Sequence, residues 1–416
     1  MKKYIVIGAG ISGLSVANML QERGEEVVVY ERDSRPGGMI KCDIAKGCLF
    51  HRTGGHVFNT KRKDVSDWFW SIFNKEKDFK KINRNSVVAF EEQNIIPYPI
   101  ENHIYCFDLD VQKSIITDLL QLSRGHTTPI TFEDFLKFRF GETLYKYYFQ
   151  PYNYKIWKKD LSKIPISWLE GKLPMPTVEE IIYNNINHIE ERKFVHSTFY
   201  YPNKGGSQFI AERLSKNLSI KYNSPVSNIE KKNKKLYVNG EECDKVIFSG
   251  NIKMLPEILH LNCFTKEIDS LEAHGTTSVF CEIDKNPYSW VYLPNRKHDS
   301  HRIICTGNFS ENNNNNNMMT ATVEFTDYLS KEIIEDNLKK ILLHPKYITH
   351  NYEKYTYPIQ NAQTRELITA IKAKLSKSEI YLVGRFAEWE YFNMDMAIGS
   401  AMDLVKELYL YNSILI

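Results

Sequence analysis

No apolar run in this chain of 416 residues reaches the roughly 18–20 residues that a membrane-spanning helix needs. There is no charged-then-apolar leader either. Met1-Lys2-Lys3 runs at once into a strand pattern, so no export signal is expected. The seven cysteines (Cys42, Cys48, Cys106, Cys243, Cys263, Cys281, Cys305) are odd in number and form no C-x-x-C. That argues against a disulfide frame or a metal site and for buried free thiols in a reducing cytoplasm. A charge excess of one sign is missing too: net charge is +3 and scattered, so no nucleic-acid partner is implied. No internal repeat is evident. What remains is an ordinary globular composition, 42% apolar and 25% charged, long enough for more than one domain. Tyrosine is plentiful, with 25 residues. Its apolar face and polar tip suit the wall of a polar ligand cleft, although drift in a Lys/Asn/Ile-rich sequence gives the same count.

Tyr4–Ile7 reads as a strand, followed by a helix to about Arg23, a stop at Gly24 and a second strand at Glu26–Tyr30. A helix is expected over Lys61–Phe79, then two strand pieces within Ser86–Tyr98 around Glu91–Asn94. Val111–Ser123, Thr131–Tyr148 and Pro176–Glu191 carry helical spacing, with Thr131 a plausible helix start. After Gly205-Gly206 a helix runs to about Asn217. Strands follow at Ser219–Tyr222, Val226–Glu230, Lys235–Val238 and Lys245–Ser249, and again within 277–325. The asparagine-rich Glu311–Met319 reads as a solvent loop. Ile380–Val383 is a last strand and Met396–Leu408 a last helix.

Gly8-Ala9-Gly10-Ile11-Ser12-Gly13 is G-x-G-x-x-G between a strand and a helix, and Glu31 ends the next strand 18 residues past Gly13. In that context the motif is a dinucleotide cradle. Gly8 allows the tight turn, Gly10 the approach of a pyrophosphate, and Gly13 close packing of helix on strand. The helix N-terminus offers N–H groups to the phosphates, and Glu31 can accept from ribose hydroxyls. Arg35-Pro36-Gly37-Gly38 adds a second diglycine, which NAD dehydrogenases do not usually need, so FAD is the favoured cofactor. The fold class expected is α/β: a discontinuous Rossmann-type FAD-binding domain (1–80, 200–275 and 351–416), a helical insert (109–195) and an antiparallel β-sheet substrate domain (81–108 and 276–350).

Six further segments, in order, resemble the UDP-galactopyranose mutase family in its eukaryotic-type branch. Gly54-Gly55-His56-Val57-Phe58 is similar to the family's histidine loop beside the flavin ring. Pro97-Tyr98-Pro99-Ile100-Glu101-Asn102 is similar to its nucleobase-side loop. Pro151-Tyr152-Asn153-Tyr154-Lys155-Ile156-Trp157, with Trp168-Leu169-Glu170-Gly171-Lys172, resembles its substrate-helix motif. Tyr201-Pro202-Asn203-Lys204-Gly205-Gly206 is shared with amine oxidases. Trp290-Val291-Tyr292 with Arg302 resembles the arginine strand. Gly384-Arg385-Phe386, Tyr391 and Asn393-Met394-Asp395-Met396 resemble the closing flavin motif.

The resemblance implies a redox-neutral pyranose/furanose mutase. Reduced FAD attacks the anomeric carbon of a nucleotide sugar through N5, and the sugar ring contracts on that adduct. NADPH or NADH is the candidate reductant, and a homo-oligomer is left open. It implies cofactor contacts at Gly8, Gly10, Ser12, Gly13, Glu31, Arg32, Gly37 and Gly38, then at Gly55, His56 and Val226. Gly384, Arg385, Asn393, Met394, Asp395 and Met396 complete them. Arg302 and Lys172 would hold the diphosphate, with Lys172 standing where the family has a second arginine, and His56 would tune the flavin. Tyr98, Glu101, Asn102, Tyr152, Trp157, His196, Tyr292, Tyr357 and Tyr391 would bind substrate. Structural readings stand beside these: a surface ion pair for Arg302, a plain surface lysine for Lys172, core packing for Trp157 and the tyrosines.

Glu101 replaces an amide that reads uracil in the family. A carboxylate only accepts hydrogen bonds, which suits the paired donors of guanine, so UDP is the default and GDP the physical alternative. His196 replaces a pocket asparagine. An FAD-dependent amine oxidase or protoporphyrinogen-oxidase-like enzyme, or a non-catalytic flavoprotein, are the competing readings.

Overall fold

The computed structural model describes residues 1–123, 129–164, 166, 176–189, 197–233, 235–261, 263–315 and 318–413. β1 (Lys3–Ile7), α1 (Ile11–Gln21) and β2 (Glu26–Tyr30) open the chain. A hairpin, β3 (Ser86–Glu91) and β4 (Asn94–Pro97), precedes a helical stretch of α2 (Leu109–Leu122), α3 (Phe132–Leu144), α4 (Gln150–Trp157) and α5 (Val178–Ile186). Next come β5 (Ser219–Lys221) and β6 (Lys245–Phe248). β7 (Glu272–Ile283), β8 (Trp290–Tyr292), β9 (Arg302–Ile304), β10 (Met319–Thr326) and β11 (Lys346–Ile359) follow. β12 (Ile380–Leu382) and α6 (Met394–Ser413) end the described chain.

Two sheets organise the molecule. The first has the order β12-β6-β1-β2-β5 and is parallel throughout. A parallel sheet is buried on both faces, and the sequence supplies this by alternation. Tyr4, Val6, Val27 and Val29 pack on one side with α1 and α6. Ile5, Ile7, Val28 and Tyr30 pack on the other with Phe248, Ile368 and Ile371. The second sheet has the order β11-β7-β10-β9-β8-β3-β4. It is antiparallel except where β8 runs parallel to β3, Trp290 beside Ser86. The helical insert has its own core of Ile115, Leu119, Phe132, Leu136 and Ile181.

Several local expectations need correction. The helix expected over Lys61–Phe79 breaks after Ile72. Asn74 caps a separate turn at Lys75–Asp78 by accepting from the Glu76 and Lys77 amides, and Phe79 starts a strand. The single helix expected from Thr131 becomes α3, a wide turn at Tyr145–Phe149 and α4. Thr131 does cap α3, in a reciprocal pair with Asp134. The asparagine-rich segment is not simply a solvent loop. Asn313 is fully buried and donates to the Tyr201 hydroxyl at 3.1 Å and to Thr306 O at 2.8 Å. No strand was expected over 346–359. β11 is an edge strand whose first half stays partly exposed, so its pattern is polar. It runs across residue 350, where the sequence reading placed a segment boundary.

Candidate functional site

The β1–α1 turn is shaped by what its glycines lack. Gly8 has φ +101°, and its amide donates to Tyr30 O at 2.8 Å. A Cβ on Gly13 would stand 2.0 Å from Gly8 O, so helix and strand could not approach as they do. A Cβ on Gly10 would meet only Gly38 Cα, at 4.0 Å, so the space above Gly10 belongs to the cavity. Glu31 is buried and accepts from the Ala9 amide at 2.7 Å and the Asp33 amide at 2.9 Å. It therefore holds the turn as well as facing the cavity. Gly37 donates to Ala9 O at 2.8 Å and locks the Gly37-Gly38 turn onto the Gly8–Gly10 turn. α1 starts at Gly10 with no side-chain cap and no acidic residue in its first turn. Its first N–H groups and the positive end of its dipole suit an anion.

This turn opens into a cavity of about 970 Å³, at the upper end of the range for small-molecule sites. Gly8, Gly10, Ser12, Glu31, Arg32, Gly37 and Gly38 line one end, joined by Val226. Gly55, His56, Arg385, Asn393, Met394 and Asp395 line the middle. Gly13 and Gly384 lie just behind, Gly384 with φ +96° and room for no Cβ against Ser12 Oγ. Met396 departs from expectation: it is 47% exposed and Ala397 takes its place on the wall. At the start of a helix, successive residues point about 100° apart, so Asp395 facing the cavity turns Met396 outward.

Two buried polar atoms on this wall, His56 Nε2 and Arg385 Nε, have no hydrogen-bond partner among the described residues. Burial, with the nearby Arg385 charge, pulls the His56 pKa down to about 4, so the ring is neutral near pH 7. Behind it His51 is held neutral by burial, its pKa pulled to about 3, and bonds the Tyr201 hydroxyl at 2.8 Å. An isoalloxazine, with acceptors along one edge and a flat face, fits the orphaned donors and the glycine floor of this cavity. The cradle, the second diglycine and the α6 N-terminus are the residues that would hold FAD.

The far end is built by the second sheet. Tyr292, Arg302 and Glu324 are cross-strand neighbours on β8, β9 and β10. Arg302 Nε donates to Glu324 Oε2, and its Nη2 donates to the Tyr357 hydroxyl at 2.9 Å. The other Glu324 oxygen accepts from the Gly54 amide of the histidine loop at 2.9 Å. Burial alone would raise the Glu324 pKa; the Arg302 charge overrides it and holds the carboxyl down at about 2. Tyr357 stacks on Tyr391 at 5.5 Å, and the Arg385 guanidinium lies 4.2 Å from the Tyr391 ring. Tyr292, Arg302, Tyr357 and Tyr391 all line the cavity.

Tyr98, Tyr152 and Trp157 stand one layer back, against Tyr292 at 4.9 and 5.4 Å and against Tyr357 at 5.9 Å respectively. Glu101 and Asn102 are buried, 3% and 2% exposed, in the turn after β4, and Asn185 donates to Glu101 O at 2.8 Å. Glu101 thus does not point to solvent. Lys172 and His196 lie outside the described residues.

Among the cavity residues that sequence reasoning did not single out, Glu324 and Arg84 bear directly on Arg302 and Tyr292. Glu324 is the only carboxylate in an apolar strand, Met-Thr-Ala-Thr-Val-Glu-Phe-Thr, and a buried carboxylate demands a cation, so it was findable. Arg84 donates to the Tyr292 hydroxyl and lies 4.5 Å from the Trp290 ring; it sits in a polar turn with no signal to single it out. Among the described residues there is no cluster able to hold a metal ion and no helix long and apolar enough to cross a membrane.

Residues 6–75 match the model of an NAD(P)-binding Rossmann-like domain. The chain is 23% identical to UDP-galactopyranose mutase of Mycoplasma pneumoniae over 97% of this chain and 96% of that one. It is 24% identical to dTDP-fucopyranose mutase of Escherichia coli over 99% of this chain and 100% of that one. The fold matches the crystal structure of a reduced UDP-galactopyranose mutase with a TM-score of 0.87 at 22% identity, covering 98% and 94% of the two chains. The cradle, the histidine loop and the arginine strand thus share one cavity in a chain that is similar over nearly its whole length to UDP-galactopyranose and dTDP-fucopyranose mutases and has the fold of the former.

Proposed function

We propose that this protein is a flavin-dependent nucleotide-sugar mutase that interconverts pyranose and furanose rings with no net redox change. The observation that carries the reading is the placement of Arg302. A guanidinium aimed by Glu324 and Tyr357 opens onto the same cavity as the dinucleotide cradle. FAD held by the cradle would, once reduced by a donor such as NADPH or NADH, supply the nucleophile for the anomeric carbon. The chain's own residues do the rest. Arg302 faces a diphosphate that gains negative charge as it leaves, and such a fixed cation is worth several kcal/mol in a site that excludes water. Tyr292, Tyr357 and Tyr391 donate hydroxyl protons to the same oxygens. His56, neutral and buried, presents a ring nitrogen to the flavin edge, where it accepts or donates without adding charge. Lys172 is the candidate second cation.

The relatives are named for UDP-linked galactopyranose and dTDP-linked fucopyranose, which supports a hexopyranose on a nucleoside diphosphate. Uridine is the default base. Guanine, which offers paired donors to a carboxylate, is the alternative that the residue type at Glu101 suggests. The free cysteines suit a reducing cytoplasm. A cleft lined by Arg302, Arg84 and Arg385 does not suit the cationic substrate of an amine oxidase.

The test is to incubate dithionite-reduced and oxidised protein with UDP-, GDP- and dTDP-hexopyranoses and separate the products. Furanose product with reduced protein alone, and no stoichiometric use of reductant, is the expected result. Turnover with flavin kept strictly oxidised, or oxygen consumption with amines, would overturn the reading.

A further inference from the structure

Lys155 sits at the centre of the substrate-helix motif and has no part in the chemistry above. It is 6% exposed on α4. Its ammonium donates to Leu293 O and Ser300 O, each at 2.8 Å, and to Asn295 O. Three donors meet three acceptors, so the group is fully used. All three carbonyls belong to the 293–300 connection between β8 and β9. The clasp thus begins one residue after Tyr292 and ends two before Arg302.

The rest of α4 is tied to the same sheet. Its last carbonyl, Trp157 O, accepts from His274 Nε2 of β7 at 2.6 Å, and Ile156 O accepts from Thr326 of β10 at 3.4 Å. Its aromatic residues lean on the cavity tyrosines, Tyr152 on Tyr292 and Trp157 on Tyr357. Burying an ammonium is costly. Burial pulls the Lys155 pKa down to about 7, Asp299 opposing and Lys158 adding to it. A surface role for this lysine would not require that cost.

Resting on the mutase reading for the identity of the ligand, we propose that Lys155 is a positioning residue. It joins the substrate helix and the arginine hairpin into one body, so that Arg302 stands in its diphosphate-binding geometry before the ligand arrives. Preorganised cations bind and stabilise charge without paying for rearrangement at the moment of reaction.

The test uses the FAD-loaded full chain with UDP as probe, measured by calorimetry, and hydrogen–deuterium exchange over residues 290–304. Lys155→Met is expected to keep its flavin, to speed exchange in 290–304 but not in 3–30, and to weaken UDP binding on the order of tenfold. Lys155→Gln, which keeps two donors without the charge, should fall between. In an Arg302→Ala background, Lys155→Met should add less than about threefold, because the group it positions is gone. Unchanged exchange and affinity in Lys155→Met would overturn the proposal. So would faster exchange with wild-type affinity, or losses that simply add to those of Arg302→Ala. Should Lys155→Met fail to fold, Lys155→Gln carries the same three comparisons. Should wild-type protein not bind UDP, the ligand reading fails by itself, and unchanged exchange in 290–304 still decides against the clasp.

Discussion

The two ends of the cavity are built by opposite means. The cradle end works through backbone and absence: glycines at 8, 10, 13, 37 and 38, uncapped helix N–H groups, and a Glu31 carboxylate spent partly on the Ala9 amide. The sheet end works through buried charge: Arg302 against Glu324, with hydroxyls of Tyr292 and Tyr357 around them. Substitution at the first end should decide whether cofactor is present at all. Substitution at the second should leave cofactor in place and change the rate.

The largest effect expected is at Gly10. The Cβ position there is open toward the cavity, so Gly10→Val should fold normally and purify without flavin. Absorbance near the flavin bands, set beside the melting temperature, measures both; full flavin occupancy would break the contrast between the ends. Next is Arg302→Ala, expected to lower turnover by on the order of 10²–10³ with flavin content unchanged. A wild-type rate would reduce Arg302 to a structural ion pair.

Glu324→Gln should sharpen the comparison, because Glu324 touches both ends: one oxygen serves Arg302, the other the Gly54 amide. Removing the charge leaves the half-buried Arg302 guanidinium uncompensated. A stability loss of about 3 kcal/mol and a rate loss smaller than that of Arg302→Ala are expected. Denaturant titration showing no loss would mean that water or another carboxylate replaces it.

The smallest effect is graded with pH. His51 and His56 are held neutral by burial, with pKa values pulled to about 3 and about 4. The unfolded chain therefore takes up protons from about pH 6.5 downward while the folded chain does not. Stability should fall as pH drops from about 6.5 through 4. Glu324, held at about 2, contributes stability that is present above its unfolded pKa and lost below about pH 4.5. His56→Asn should flatten the upper part of the curve. A melting temperature constant between pH 7 and 4.5 would contradict the neutral-histidine assignment.

The cradle was legible because its constraints are local. Gly8 to Glu31 lie in one β–α–β unit, and a turn that excludes Cβ atoms writes itself as glycine. The same is true of the Thr131–Asp134 capping pair and the β3–β4 hairpin, whose bounds follow from adjacent residues. Arg302 and the tyrosines were reached through resemblance, not through spacing.

By itself, then, the sequence determined the dinucleotide cradle and the β–α–β unit that carries it. Only the tertiary structure decided which charges meet. Glu324 finds Arg302 because β9 and β10 pair in one register. Asn313 is buried because Tyr201, more than a hundred residues away, needs a donor. Lys155 reaches the 293–300 turn because α4 packs across the sheet. Each is a long-range pairing of polar groups, and a buried polar group leaves in its own neighbourhood no trace of the partner that satisfies it.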